Sequence, residues 1–206
     1  MGAYGFNEGS GTTVNDSSGN GNYGTATNTT WATAGKNGKA LLFNGMNALV
    51  TVPDSASLDL TTGMTLEAWV DPSTLTSSWR TVVFKERPGG MLYALYANNG
   101  SANRPVGQVF LGNAEQDAPG TSSVPLNAWT HLAATYDGSA LRLYVNGALV
   151  TTFAVSGSLA TTTNPLRIGG NTIWGEYFNG LIDDVRIYNR ALTAAEIQSD
   201  MATPVG

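Results

Sequence analysis

The sequence predicts an all-β fold: two antiparallel sheets packed face to face, with one short C-terminal helix. Three observations carry this. Apolar and polar residues alternate with period two in several short segments, as a strand with one buried face requires. Those segments are separated by turn formers, among 25 Gly and 8 Pro in 206 residues, a spacing that suits sandwiches. Only one stretch has a helix-start signature, so the strands are joined by turns rather than by helical crossovers, which implies antiparallel pairing.

In Met64-Thr65-Leu66-Glu67-Ala68-Trp69-Val70-Asp71, the alternation turns Met64, Leu66, Ala68 and Val70 toward a core and their neighbours away. Leu141 to Val145 alternates likewise and runs into Asn146-Gly147. That dipeptide favours a two-residue type I′ turn, because both positions need positive φ. The return strand is Ala148 to Phe153. Further strands are expected at Ala40–Phe43, Ala48–Val52, Arg80–Glu86, Met91–Ala97, Gly107–Gly112, Thr130–Tyr136, Leu166–Ile168 and Gly180–Tyr188. Thr193-Ala194-Ala195-Glu196 reads as a capping box, opening a helix that ends near Met201. No repeat, linker or composition shift divides the chain, so residues 1–206 are expected to form a single domain.

Composition narrows the function classes. Charged residues make up 12% and the net charge is −5, with no Lys/Arg cluster to displace counterions from a phosphate backbone. Nucleic acid is therefore not an expected partner. No apolar run reaches the length of a membrane span, so membrane insertion is not expected either. Cysteine is absent, which excludes disulfides and thiolate chemistry. The chain is expected to be a piece of a longer secreted protein, fused to other domains.

A resemblance rests on blocks spread along nearly the whole chain: Tyr4 to Gly11, Asp16 to Asn22, Gly38 to Gly45, Trp69-Val70, Trp129 to Ala133, Leu143 to Gly147, and Gly180 to Leu192. The last, Gly-Leu-Ile-Asp-Asp-Val-Arg-Ile-Tyr-Asn-Arg-Ala-Leu, is the most specific. With these, the chain resembles the laminin-G-like jelly rolls of the concanavalin A-like lectin/glucanase superfamily. The resemblance implies a jelly-roll sandwich whose first and last segments are neighbours. It also implies an extracellular setting, glycan binding and a calcium ion.

Calcium binds through six to eight oxygens. The loop Asn15 to Asn22 is dense in them, with Asp16 and Asn20 as candidate ligands. The topology implied by the resemblance brings Asp183 or Asp184 nearby, and strand alternation lets only one of these two reach the ion. The alternative is an Asn/Gly turn in which Asp16 bonds its own backbone.

Two places are candidates for a saccharide. Alternation puts Glu67, Trp69, His131, Arg142 and Tyr144 together on the outer face of one sheet, where rings beside polar groups suit sugar binding. The rival is a pair of loops. Ser77-Ser78-Trp79-Arg80 and Asn171 to Phe178, the latter with Trp174, Glu176 and Tyr177, each place Trp beside charge. Trp174 with Tyr177 is the preferred platform. Trp31 and Trp129, at strand borders, are expected in the core.

Hydrolysis is not expected. Glycosidases need two carboxyls at a set separation across the bond. Glu67 and Asp71 stand four apart, with Trp69 between, while Asp183 and Asp184 are adjacent. The lone His131 has no neighbouring Ser or Asp to mark a triad. The expectation is a non-catalytic, calcium-stabilised module that binds polysaccharide. An adhesion or structural module contacting proteins is the alternative.

Overall fold

Two eight-stranded antiparallel sheets face each other across one apolar core in a computed structural model that describes all residues 1–206. Four short strands open the chain: β1 (Gly2–Tyr4), β2 (Thr13–Val14), β3 (Gly24–Thr27) and β4 (Thr30–Ala32). Then come β5 (Ala40–Asn44), β6 (Leu49–Val52) and the longer β7 (Met64–Pro72), β8 (Trp79–Arg87) and β9 (Gly90–Asn99). The middle of the chain supplies β10 (Val106–Leu111), β11 (Ala114–Pro119), β12 (Thr130–Tyr136), β13 (Ala140–Val145) and β14 (Ala148–Ala154). Last are β15 (Leu166–Ile168), β16 (Gly170–Asn171), β17 (Glu176–Tyr177), β18 (Asn179–Tyr188) and the helix α1 (Ala194–Met201). No helix is long and apolar enough to cross a membrane.

The first sheet runs β14-β13-β12-β7-β18-β5-β4, with β1 also paired to β18; the second runs β11-β10-β9-β8-β15-β6-β3-β2. β16 and β17 form a separate small hairpin. The pairing of β1 with β18 makes the two ends of the chain neighbours, as expected. Met64, Leu66, Ala68, Val70, Leu132, Ala134, Leu141 and Leu143 all point into the buried cluster between the sheets. Asn146 and Gly147 both have positive φ, 50° and 74°, in the turn joining β13 to β14. The Thr193–Glu196 capping box forms as read. Trp31 is only partly buried; it packs against the core and donates Nε1 to the Gly11 carbonyl at 2.9 Å.

A bulge breaks the alternation of β18. The register against β7 shifts between Asp183 and Arg186, and Asp184 sits at φ 45°. An extra residue at a bulge bends the strand and re-aims its side chains. Here β18 pairs with β5 before the bulge and with β1 after it. Asp183 and Asp184 therefore do not point apart: both accept from Asn37, Asp183 from its N–H at 2.9 Å and Asp184 from its side-chain amide at 2.6 Å.

Candidate functional site

The outer face of the first sheet is not open. Glu67, Trp69, His131 and Tyr144 do share it, as the pairings Ala133–Glu67, Ala133–Tyr144 and His131–Trp69 require. All four are nevertheless buried. The segment after β18 folds back over them: Leu192 and Ile197 of the α1 region pack on Ala133 and Tyr144. Lys36 places its Nζ 4.1 Å from the centre of the Trp69 ring. This corrects the expectation of a sugar-binding surface there, because a buried ring offers no face to a ligand. Arg142 is half-buried and paired with Asp137 at 2.5 Å.

Beneath that cover lie polar side chains with few internal partners. Neither oxygen of Glu67, neither ring nitrogen of His131, nor Trp69 Nε1 has a hydrogen bond. His131 Nε2 and Glu67 Oε2 are 3.7 Å apart. Burial, with Asp200 adding to it, pushes the Glu67 carboxyl up to about 8 against the lowering effect of Arg186. Burial, with Arg186 adding to it, pushes His131 down to about 3. Both groups are thus held neutral, the state that a buried polar side chain adopts when desolvation outweighs pairing.

The second sheet carries the accessible site. Its outer face holds an apolar layer of Phe84 from β8, Met91, Ala94 and Tyr96 from β9, and Val106 from β10, against which Trp79, Phe110 and Ile173 pack. Over this layer a cleft of about 360 Å³ is lined by Trp79, Tyr96, Gln108, Glu115, Trp174 and Glu176. The aromatic rings brace one another edge to face: Trp79 against Tyr96 at 4.9 Å, Phe84 against Tyr96 at 6.3 Å and Phe84 against Trp174 at 5.5 Å. Trp174 remains 43% exposed, so one ring of this set is free for a partner.

The β16–β17 hairpin fixes Trp174 and Glu176 relative to the sheet. Asn171 accepts from the Trp174 N–H at 2.9 Å and donates to both Thr81 and Glu176, each at 2.9 Å. The Tyr96 hydroxyl donates to the same Glu176 oxygen at 3.1 Å. Burial raises the Glu176 carboxyl above its ordinary range; the bonds from Asn171 and Tyr96 oppose this, and the Glu115 charge adds to it.

Among the sequence candidates, Trp79, Trp174 and Glu176 meet in this cleft. Arg80 is buried and structural, donating to the Tyr177 carbonyl at 2.7 Å and the Thr76 hydroxyl at 3.0 Å. Tyr177 is half-buried against Gly170 and does not line the cleft, which removes it from the expected platform. Tyr96, Gln108 and Glu115 escape the sequence reading.

Asp16, Asp183 and Asp184 do not gather into one three-carboxylate cluster. Asp16 takes the alternative role of a turn brace. One oxygen accepts from the Ala3 and Ser18 N–H groups, and the other from the Ser18 hydroxyl and the Asn22 N–H. Burial opposes its ionisation, but these bonds outweigh it and hold the carboxyl below its usual range. Asn20 donates to Met1 and Ser18 beside it. A cavity of about 320 Å³ is bordered by Asn7, Glu8, Asn15 and Ser17. In this region Glu8 Oε2 is buried without a partner.

Comparison with known proteins agrees with this architecture. Residues 43–198 match a laminin-G-type family model of the concanavalin A-like lectin/glucanases superfamily. Mouse pappalysin-1 is 29% identical over 183 residues, which is 80% of this chain but 11% of pappalysin-1. Domain 4 of AbnA, an extracellular GH43 arabinanase from Geobacillus stearothermophilus solved in complex with arabinotriose, is 26% identical. Its TM-score is 0.73, with 97% of each chain covered. The botulinum neurotoxin serotype G binding domain, at 16% identity and a TM-score of 0.74 over 98% of this chain and 50% of that one, shares the fold. With the two-sheet sandwich, the joined chain ends and the match over most of its length, the chain belongs to the concanavalin A-like lectin/glucanases superfamily.

Proposed function

We propose that this chain is a non-catalytic carbohydrate-binding module of a larger extracellular protein, and that its saccharide site is the cleft of Trp79, Tyr96, Gln108, Glu115, Trp174 and Glu176. One observation carries the reading: rigid aromatic rings and polar side chains converge in a concave site, with Trp174 left open. Small-molecule sites are typically apolar clefts of roughly 300–1,000 Å³ with a few placed polar groups, and this cleft matches in size and chemistry. Saccharides present apolar C–H faces and a rim of hydroxyls, which an indole face and fixed acceptors complement. Glu176, clamped by Tyr96 and Asn171, is such an acceptor. The arabinotriose complex of the similar AbnA domain lends further support.

The test is affinity electrophoresis in gels containing arabinan, other plant polysaccharides or bacterial glycans, with arabinotriose as competitor. Retardation by at least one glycan, lost in Trp174→Ala while the melting temperature holds, supports the reading. Retardation undiminished in Trp174→Ala moves the site elsewhere. A calcium ion bracing the loop of residues 5–17 is part of the proposal. Glu8 would hold it, with amide oxygens from Asn7 and Asn15, in the hollow where Glu8 Oε2 lacks a partner.

A further inference from the structure

The charge in the cleft is all of one sign, and this deepens the carbohydrate reading, on which it rests. Glu115 and Glu176 line the cleft, with no Lys, Arg or His beside them. None of the ion pairs in the structure involves either carboxylate. Their interaction is repulsive, since the Glu115 charge makes Glu176 harder to ionise. Two donors of the cleft are committed to carboxylates, the Tyr96 hydroxyl to Glu176 at 3.1 Å and the Gln108 amide to Asp117 at 2.7 Å, which leaves the neutral indole N–H groups of Trp79 and Trp174. The arginines of this region are committed too. Arg87 lies 3.6 Å from the centre of the Phe110 ring and donates Nε to the Met91 carbonyl. Arg80 is buried under Tyr177 and Thr76.

We propose that the cleft selects one or two units of an uncharged saccharide and rejects saccharides that carry carboxylate or sulfate. Sugar hydroxyls can donate to the two carboxylates and accept from the indole N–H groups, so a neutral sugar needs no cation in this lining. An anionic sugar meets two unpaired carboxylates in a partly desolvated cleft with no cation to balance it. Juxtaposed like charges act as a specificity device more than as an affinity term. The small cleft volume, near the lower end of ligand sites, limits the contact to a short piece of chain.

The test is calorimetric titration with three oligosaccharide sets of matched length: neutral gluco-, manno- and arabino-oligomers, galacturonic-acid oligomers, and glucosamine oligomers. At least one neutral oligomer is expected to bind ten times or more tighter than any galacturonic-acid oligomer. Glu115→Gln is expected to narrow that gap at least threefold. Equal binding of the acidic oligomers, lost in Trp174→Ala, overturns the selection for uncharged sugar and leaves the carbohydrate reading standing. So does tighter binding of glucosamine oligomers than of every neutral one. Failure of all three sets to bind overturns both.

Discussion

Replacing Glu67 by Gln should change how stability depends on pH while leaving the fold intact. Glu67 is buried beneath the C-terminal segment, with neither oxygen bonded, and its carboxyl rises from 4.5 to about 8. The native state therefore keeps a proton that the unfolded chain releases above pH 4.5. Each pH unit in that window costs about 1.4 kcal/mol of stability. His131 acts in the opposite direction. Its native value is about 3 against 6.5 in the unfolded chain, so stability falls as the unfolded imidazole protonates on going down from 6.5. Between pH 4.5 and 6.5 the two slopes cancel. From 6.5 to 8 Glu67 stands alone, and about 2 kcal/mol is lost. Gln mimics the protonated carboxyl, so Glu67→Gln removes that loss. Urea unfolding of both proteins at half-unit steps from pH 5 to 9 gives the difference curve, in which contributions common to both proteins subtract out. A wild-type deficit that grows by about 1.4 kcal/mol per pH unit up to pH 8 is expected. A flat difference curve from 6 to 8 would refute the claim that the covered face holds Glu67 neutral.

Other perturbations have defined outcomes. Asp16→Asn removes half of a carboxylate that accepts from four donors; charge-assisted bonds of this kind predict a loss of about 2–3 kcal/mol in urea unfolding, the same with or without chelator. EDTA should lower the melting temperature of the wild type but not that of Glu8→Gln; a wild type unmoved by EDTA removes the proposed calcium. Ile197→Ala empties a buried position against Ala133 and Tyr144 and should cost about 2–5 kcal/mol, read from the shift of the thermal midpoint. Gly169→Ala places a methyl into the Phe43 ring at φ 76°; left-handed strain plus overpacking should cost about 2–5 kcal/mol, and a loss below 1 kcal/mol would show that Phe43 yields freely.

Much of the sandwich was legible because local pattern and global fold agree where one strand face is buried and the other is polar. Met64 to Asp71 is such a segment, and its inward set is the observed one. Turn and cap chemistry was legible for the same local reason, at Asn146-Gly147 and at Thr193–Glu196. The covered face was not. Alternation states which residues share a face, but what later folds over that face depends on contacts some sixty residues apart, between Ala133 and Ile197. β1 to β4 and β11 are short or polar, so their periodicity is too weak to read. The bulge at Asp184 left no composition signal; it shows only in the register shift against β7 and in a φ of 45°.

The site was legible in its loops and hidden in its strands, and packing explains the difference. Trp79 and Trp174 stand out because an indole beside Ser, Gly and Asn has little core to enter. Tyr96 does not stand out: Met91 to Ala97 is apolar on both faces, with Leu92, Tyr93, Leu95 and Ala97 in the main core and Met91, Ala94 and Tyr96 in the outer layer. A strand apolar on both sides signals that something covers each side, and the cover over Tyr96 is the Trp79 ring packed on it at the wall of the cleft. On the first sheet, the same demand at Trp69 and Tyr144 is met by the chain's own C-terminal segment and Lys36. The pairing of β1 with β18 delivers the chain's end to that sheet. Aromatic rings thus stand on the outer faces of both sheets, but the chain closes over one set and leaves Trp174 of the other open, which is why the saccharide site is proposed on the second sheet.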